Sequence, residues 1–329
     1  MKSYLAEQLQ KIINAEINLR SSALDQMKPD TLYSPVKYSL LMGGKRLRPL
    51  LLIMGFNLFS DQIRLALPAA ISVEVFHNFT LLHDDIMDRS EMRRNSPTVY
   101  MKFGENSAIL AGDSMGFLSY QILSECISDR NTDVIRLFTK TALEVCEGQQ
   151  YDMDFERSLI INEAEYLEMI RLKTAVLLGY CLEAGAMLAE ADSRICQNMY
   201  SLGINLGLAF QLQDDLLDTF GNQKLLGKKI GNDIVGNKKT YLLVKALEIA
   251  EGNLKSELLA WLSAGTEDAK QKVKAIIEIY NKLDIKKITE DKINYYFKNA
   301  FEIFSNIPVN DIFKIHLQDF ISGMQIRKY

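Results

Sequence analysis

The sequence has little proline over most of its length, and this scarcity bears first on its architecture. Five of the six prolines lie at or before Pro97, and the next is Pro308. Proline interrupts helices, so a long proline-free stretch rich in Leu, Ala, Glu, Lys and Ile favours helical structure. Runs of alternating apolar and polar residues are lacking, as are Asn-Gly and Asp-Gly hairpin dipeptides. We therefore predict an all-α protein, a large helical bundle.

Other absences exclude whole classes of protein. The net charge of -4 lacks the positive excess that is typical of a nucleic-acid binder. The amino terminus lacks the apolar core of a signal peptide, and the longest apolar run, from Pro49 to Phe59, is too short to span a bilayer. The four cysteines show no C-x-x-C spacing, so neither a zinc site nor a redox pair is indicated. We expect a cytoplasmic protein with no transmembrane segment and no nucleic-acid partner.

The chain also lacks linkers and repeats. The polar breaks, such as residues 128–133 and 264–270, are short enough to be helix–helix connections. The sequence therefore favours one helical domain, residues 1–329, over two. Two segments, residues 69–88 and 201–218, are apolar on nearly every helical face until their carboxyl ends, which is typical of helices at the centre of a bundle.

Both apolar segments end in aspartates. The same spacing occurs twice, as Asp84, Asp85 and Asp88, and again as Asp214, Asp215 and Asp218. On a helix the first and fifth positions lie about 40° apart, so the outer aspartates share a face and the middle one is rotated away. Two solvated helix ends are the alternative, but aspartate is unfavourable near a helix carboxyl end and occurs there twice. The pattern predicts a shared site for a hard cation such as Mg²⁺.

Basic residues follow these motifs or precede the apolar helices. Taken alone, each is most simply a solvated surface residue. Taken together with the metal-binding aspartates, they predict a pocket for two anionic groups, one bound through metal and one bound directly by Arg and Lys. The set comprises Lys45, Arg46 and Arg48 in "GGKRLRP", Arg93 and Arg94 in "RSEMRR", Lys173 with Thr174 in "RLKTA", and Lys228, Lys229, Lys238 and Lys239 in "GKKIGNDIVGNKKT".

From about Met42 to Thr240 the chain resembles the trans-isoprenyl diphosphate synthases of the polyprenyl synthetase family. The motifs that carry the resemblance occur in the family's order: "GGKRLRP", "LLHDDIMDRSEMRRNSPT", "GQQYD", "RLKTA", "FQLQDDLLDTFG" and "GKKIGNDIVGNKKT". The resemblance implies a homodimer of all-α subunits, each with a central cavity capped by the two acid motifs. It also implies three Mg²⁺ ions per active site.

The resemblance further implies a division of labour among the site residues. Metal would be held by Asp84, Asp88 and Asp214, with Asp85, Asp215 and Asp218 in support. The allylic diphosphate would be contacted by Arg93, Lys173, Lys228 and Lys238. The diphosphate of isopentenyl diphosphate would be held by Lys45, Arg48, His77 and Arg94. The reacting centre would be lined by Thr174 and Gln211, and a further family position is matched by Gln149 and Asp152.

The implied reaction is a condensation that begins with metal-assisted ionisation of an allylic diphosphate. The double bond of isopentenyl diphosphate then attacks the allylic cation, a proton is lost, and apolar walls exclude water. A class I terpene cyclase would share the first acid motif, but its second normally mixes Asn, Ser or Thr with Glu, which "DDLLD" does not. A non-catalytic regulatory subunit would have eroded motifs, and here they are intact.

Product length is expected to depend on residues before the first acid motif. One helical turn rises about 5.4 Å, comparable to an isoprene unit, so Thr80, Phe79 and Phe76 would act as successive limits on the growing chain. Phe76 and Phe79 are equally consistent with plain core packing. An aromatic residue five places before Asp84, with no insertion in "DDIMD", resembles archaeal-type geranylgeranyl synthases. We expect a C15 to C20 product with C20 favoured, and a longer-chain synthase as the alternative.

Overall fold

The computed structural model describes residues 4–158, 160–221, 231–263, 268–309 and 311–326. Within these ranges the chain is helical almost throughout, so the all-α prediction is confirmed. By internal contacts the chain divides into two compact units. The first contains residues 1–139, 180–199 and 308–323, and the second contains residues 140–179, 200–307 and 324–329. That the whole chain forms a single domain remains a prediction.

The first unit is built around one apolar helix. Its described helices before residue 131 are α1 (Tyr4–Ala23), α2 (Asp30–Leu41), α3 (Leu47–Asn57), α4 (Leu67–Met87), α5 (Val99–Phe103) and α6 (Glu105–Leu123), with 3₁₀ turns at Leu24–Gln26 and Ile63–Ala66. Helix α4 packs most extensively against α6 and next against α3. All residues of α4 from Ala69 to Phe76 are buried, as expected of a helix at the centre of a bundle.

The stretch Ile63–Met87 is also long and apolar enough to cross a membrane when judged by length and composition alone. In the structure 61% of its most apolar window is buried inside the protein. A helix that is covered by protein on most faces needs the same apolar composition as one covered by lipid. The sequence prediction rested on the apolar run from Pro49 to Phe59, which one polar residue interrupts, and missed this stretch, which Glu74, His77 and Asn78 interrupt.

A small hairpin follows α4 and contains the only strands among the described residues. Strands β1 (Met92–Arg93) and β2 (Ser96–Pro97) pair antiparallel, with Arg93 opposite Ser96. The two residues between them, Arg94 and Asn95, have φ values of 52° and 61°. Positive φ at both central positions is the requirement of a two-residue type I′ turn, which normally selects Asn-Gly or Asp-Gly. The sequence contains no signal for this hairpin, because Arg94 occupies the position that usually has Asn or Asp and Asn95 the position that usually has glycine.

The remaining helices belong to the second unit or to both units. They are α7 (Asn131–Arg157), α8 (Glu163–Ile170), α9 (Val176–Leu188), α10 (Ser193–Phe220), α11 (Asn232–Val235), α12 (Tyr241–Ile249), α13 (Gly252–Ser263), α14 (Ala269–Lys282), α15 (Ile285–Ser305) and α16 (Asp311–Gln325). A capping box formed by Asn162 and Glu165 begins α8. Helix α12 packs against α15 and α8, with Leu242 and Phe297 fully buried.

Candidate active site

The first acid motif forms the last turn of α4 and its carboxyl end. The middle aspartate, Asp85, is only 4% exposed, and both of its oxygens accept a hydrogen bond from Arg93 Nε at 2.8 Å. Arg93 Nη2 also lies 3.3 Å from Asp84 Oδ2. Asp84 is half-buried and Asp88 is exposed. The structure thus commits the middle carboxylate to an arginine and leaves the outer two nearer to solvent.

The second acid motif, at the end of α10, has the same arrangement. Asp215 is 4% exposed and accepts hydrogen bonds from Tyr166 Oη, from the backbone N–H of Tyr241 at 3.0 Å and from Gln211 Nε2 at 3.1 Å. Burial raises the pKa of the Asp215 carboxyl to about 7, and these hydrogen bonds oppose the rise. Asp218 Oδ2 accepts from the backbone N–H of Asp233 at 3.1 Å, at the start of α11.

The outer carboxylates fit a hard divalent cation. They are oxygen donors one helical turn apart, Asp84 with Asp88 and Asp214 with Asp218, and all four are at least partly exposed. Among the described residues, no three His, Cys, Asp or Glu side chains are grouped so that they could hold a metal ion by themselves. Mg²⁺ usually keeps several waters and is bound through one or two carboxylates plus substrate phosphates. Each motif would therefore share its ions with the substrate.

Arg46 has a different role from its basic neighbours. It is buried at the amino end of α3 with a φ of 52°, and its Nη1 donates to Glu74 Oε1 at 2.6 Å. Its Nη2 donates to the carbonyl of Leu40 at 3.0 Å. The sequence grouped Arg46 with the anion-binding residues, and this grouping was wrong because the guanidinium is committed to a buried carboxylate. It joins to α4 the start of α3, where Lys45 precedes the helix and Arg48 lies in its first turn.

The hairpin is fixed to the same loop through Arg94. The Arg94 guanidinium donates to the carbonyl of Gly43. It lies over Gly44, where an added Cβ would be only 2.8 Å from Arg94 Nη1. Gly44 therefore provides the clearance that lets Arg94 bond the Gly43 carbonyl, in the loop that also contains the exposed Lys45. Lys45 and Arg94 were both predicted to hold the diphosphate of isopentenyl diphosphate, and the structure bonds the hairpin turn that carries Arg94 to the loop that carries Lys45.

His77 and Arg48, the other two residues of that predicted set, are in contact. Arg48 Nη1 lies 2.9 Å from His77 Nε2. A guanidinium can only donate, so His77 Nε2 is the acceptor and the imidazole is neutral. Burial and the nearby charges of Arg48, Arg94 and Arg93 hold the pKa of His77 well below its usual range. His77 therefore orients Arg48, and a neutral ring adds no positive charge to the site.

A pH dependence of stability follows from His77. A histidine whose pKa is lower in the folded state than in the unfolded state destabilises the fold once the unfolded form gains its proton. The unfolding free energy is therefore expected to fall below pH ~6.5, by up to about 1.4 kcal/mol per pH unit. Urea titrations of wild type and His77→Gln at pH 7 to 5.5 measure this contribution, with His316→Gln as a control for a histidine change as such. Equal slopes for wild type and His77→Gln would contradict it.

Lys173 and Thr174 lie on a π turn, Arg171–Ala175, between α8 and α9. Lys173 Nζ bonds Asp152 Oδ2 at 2.6 Å, and Thr174 Oγ1 donates to Gln211 Oε1 at 3.1 Å. A Cβ added to Gly148 would meet the Lys173 backbone nitrogen at 2.2 Å, so α7 approaches the turn closely only at glycine. Such turns occur frequently at functional sites. The sequence did not predict the π turn, and Gly148 in "GQQYD" is the signal that could have indicated it.

For the remaining predicted residues the structure gives mainly their burial and a few contacts. Gln149 and Lys238 are half-buried in the second unit, and Lys228 lies outside the described residues. Phe76 is fully buried and packs edge-on against Phe79 and Phe138, with ring centroids 5.5 and 5.2 Å apart. Phe79 and Thr80 are half-buried, and Thr80 Oγ1 donates to the His77 carbonyl. The contacts of Phe76 are those of a core residue, whereas Phe79 keeps part of its surface exposed.

A family model described as polyprenyl synthetase matches residues 29–280. A geranylgeranyl diphosphate synthase of Methanosarcina mazei is 41% identical over 243 residues, which cover 71% of this chain and 75% of that protein. A geranylfarnesyl diphosphate synthase of Aeropyrum pernix is 33% identical over 290 residues, which cover 86% of this chain and 90% of that protein. A crystal structure of geranylgeranyl pyrophosphate synthase superposes with a TM-score of 0.93 at 40% identity, and each chain is covered completely.

Proposed function

The chain belongs to the polyprenyl synthetase family, and from that premise we propose that it condenses isopentenyl diphosphate head to tail with an allylic diphosphate. The product is a trans short-chain prenyl diphosphate. The observation that carries the proposal is the repeated acid motif, in which the middle aspartate is buried against protein donors and the outer pair presents carboxylate oxygens. Paired outer carboxylates suit the binding of a diphosphate through Mg²⁺.

In this reaction the C–O bond of the allylic diphosphate breaks and its electron pair leaves with the diphosphate. The π electrons of isopentenyl diphosphate form the new C–C bond, and a proton passes to the released diphosphate. Bound Mg²⁺ would neutralise the charge that develops on the leaving group. We assign its binding to Asp84, Asp88 and Asp214, with Asp85, Asp215 and Asp218 in support. Three ions per site remain the family expectation.

The chain's own cations divide between the two substrates. For the allylic diphosphate we propose Arg93, Lys173, Lys228 and Lys238; Arg93 is held in place by Asp85, and Lys173 by Asp152. For isopentenyl diphosphate we propose Lys45, Arg48, Arg94 and His77, where His77 acts through its contact with Arg48. A planar guanidinium held on one side still presents donors on its other side, which suits phosphate oxygens.

For the product we propose C20, since several similar relatives are named geranylgeranyl diphosphate synthase, a C20 product. A relative named for a C25 product also matches the chain. Phe79, half-buried in edge contact with Phe76 and His83, is the residue that we expect to limit the chain. Phe79→Ala is expected to shift the products beyond C20, because it removes an aromatic ring about one turn from Asp84. Chromatography of the dephosphorylated products measures the shift, with Phe103→Ala as a control. An unchanged profile would contradict this role.

We propose that the protein is a homodimer. Helix α6 carries Leu110 and Phe117, seven residues apart on one face, and Phe117 is 78% exposed. Leu110, 59% exposed, extends the apolar surface of Phe117 into a patch on one face of α6, and such a patch marks an interaction site. A second copy of the same face is the simplest partner. Phe117→Asp is expected to convert the dimer into a monomer in light scattering, whereas Phe313→Asp on α16 should not. A dimer that survives Phe117→Asp would contradict this interface.

We also propose that residues 1–329 act as one isoprenoid synthase domain, in the cytoplasm, without a nucleic-acid partner or a membrane span. The reaction is tested by incubating the purified protein with isopentenyl diphosphate, an allylic diphosphate and Mg²⁺. Condensation with release of diphosphate is the expected result. A cyclised product without condensation would indicate a terpene cyclase. No turnover would indicate a regulatory subunit, and either outcome would overturn the proposal.

A further inference from the structure

A chain of hydrogen bonds connects a tyrosine that the sequence did not single out with the residues expected at the reacting centre. Tyr166 Oη donates to the Asp215 carboxylate, which also accepts from Gln211 Nε2 at 3.1 Å. Gln211 Oε1 in turn accepts from Thr174 Oγ1 at 3.1 Å. All four residues belong to the second unit. Tyr166 and Thr174 lie at the two ends of this chain, eight residues apart on α8 and the π turn that continues it.

The chemistry of the groups fixes the direction of each bond. In its ionised form the Asp215 carboxylate can only accept, so it accepts from the backbone N–H of Tyr241, from Tyr166 Oη and from Gln211 Nε2. A carboxylate that accepts must face the nitrogen of the Gln211 amide, which turns the amide oxygen toward Thr174. The single proton of the Thr174 hydroxyl is then used on Gln211. Toward any other neighbour, Thr174 presents oxygen lone pairs and no proton.

The direction of the Thr174 hydroxyl has a consequence for an ionising substrate. In the proposed reaction, positive charge develops on the allylic carbon as its C–O bond breaks. An oxygen lone pair aimed at that charge stabilises it, whereas a hydroxyl proton aimed at it would oppose its formation. A Thr174 oxygen that is held in one orientation therefore lowers the barrier to ionisation of the allylic diphosphate. A Thr174 hydroxyl that rotates freely would lower this barrier less.

We propose that Tyr166 is a positioning residue for the condensation. By fixing Asp215 it holds the Gln211 amide in one orientation, and through that amide it keeps the lone pairs of Thr174 available to the allylic cation. This inference rests on the proposed function, because it requires a reaction that passes through a cation. Tyr166 is 1% exposed, so its hydroxyl needs a protein partner, and the geometry gives it Asp215.

A second role for Tyr166 has to be separated from this one. Asp215 also binds the backbone N–H of Tyr241, the first residue of α12, which follows the loop that carries Lys238. If Tyr166 acted by anchoring that loop, its loss would weaken the binding of the allylic diphosphate and raise KM. If it acts through Thr174, its loss lowers kcat, because only the transition state carries the charge.

Tyr166→Phe is the test variant, since it removes one hydroxyl and keeps the ring. We expect kcat to fall by about 10-fold, while KM for both substrates stays within about twofold. Tyr241→Phe is the matched control: it removes the hydroxyl of the neighbouring ring, which bonds Glu163 and not Asp215, and it should leave kcat unchanged. Gln211→Met interrupts the same chain at its middle and should reproduce the kcat loss if Tyr166→Phe does not fold.

Two further measurements give results that a structural role would not. In a Thr174→Val background, Tyr166→Phe should change kcat by less than about twofold, since residues acting in one network are not additive. Calorimetry should show that Tyr166→Phe weakens binding of an ammonium diphosphate analogue of the allylic cation by about 10-fold. Binding of an allylic thiodiphosphate, whose allylic group carries no charge, should stay unchanged. The positioning role would be overturned if the kcat losses of the two single variants multiplied in the double variant. It would also be overturned if Tyr166→Phe weakened the binding of both ligands equally.

The outcomes separate this inference from the function on which it rests. If wild type condenses the two substrates and Tyr166→Phe retains full kcat, only the positioning role is wrong. If wild type does not condense them, the proposed function is wrong and the positioning role fails with it.

Discussion

Asp84→Asn is expected to lower kcat by at least about 10²-fold, a loss typical of removing one group that stabilises developing charge. Asp84 is an outer aspartate of the first motif, half-buried, and paired with Asp88 one turn away. The amide keeps the size of the side chain but loses the charge that would bind Mg²⁺. Activity should therefore recover in part as the Mg²⁺ concentration is raised, which steady-state kinetics across a Mg²⁺ titration would reveal.

The matched control for Asp84→Asn is Glu91→Gln, an exposed carboxylate a few residues farther along the chain. It carries the same charge change outside the motif and should retain kcat within about twofold, as expected of a surface substitution. Asp85→Asn should differ from both variants, because it removes the partner of Arg93 and so raises KM for the allylic substrate. Full activity of Asp84→Asn, with an unchanged Mg²⁺ dependence, would contradict a metal role for this residue.

Arg46→Met is expected to destabilise the protein by about 3–5 kcal/mol, because it leaves a buried carboxylate without its counter-ion. The pair that it breaks is closed to solvent, with side-chain exposures of 3% for Arg46 and 2% for Glu74. Chemical denaturation measures the free energy of unfolding directly. The loss should be larger than for any exposed ion pair of this chain, such as Lys28 with Asp30.

A double variant separates the ion pair from the packing around it. Arg46→Met combined with Glu74→Leu removes both charges and should recover most of the stability that Arg46→Met loses, since replacing a whole buried pair is often nearly neutral. The double variant should still lose activity, because the start of α3, with Lys45 before it and Arg48 in its first turn, would no longer be bonded to α4. A loss of unfolding free energy below about 1 kcal/mol for Arg46→Met, as for an exposed pair, would contradict a stabilising role for the buried ion pair between Arg46 and Glu74.

Helical spacing predicted much of the site because spacing alone decides which side chains share a face. The period of the helix separates the outer aspartates from Asp85 and Asp215, and in each motif the middle residue is the buried one. The apolar composition of residues 69–88 likewise indicated a central helix, and Ala69–Phe76 are buried in it. These features depend on local geometry, which the sequence determines directly.

Tertiary partners could not be predicted in the same way. Arg46 and Arg48 are two residues apart and chemically identical, yet one is bonded to Glu74 and the other to His77. Nothing in their residue type or spacing distinguishes them, and their partners lie 28 and 29 residues farther along the chain. The positive φ at Arg94 and the π turn at Lys173 are likewise stabilised by distant neighbours, Gly43 and Gly148 respectively.

The most direct test of the proposed condensation is product analysis with each allylic primer in turn. The protein is incubated with Mg²⁺, labelled isopentenyl diphosphate, and dimethylallyl, geranyl or farnesyl diphosphate, and the dephosphorylated products are separated by chromatography. We expect all three primers to be extended, with C20 as the main end product in every case and diphosphate released in step with each addition. The absence of any extended product would contradict the proposed reaction, and products of C30 or longer from every primer would contradict a short-chain synthase.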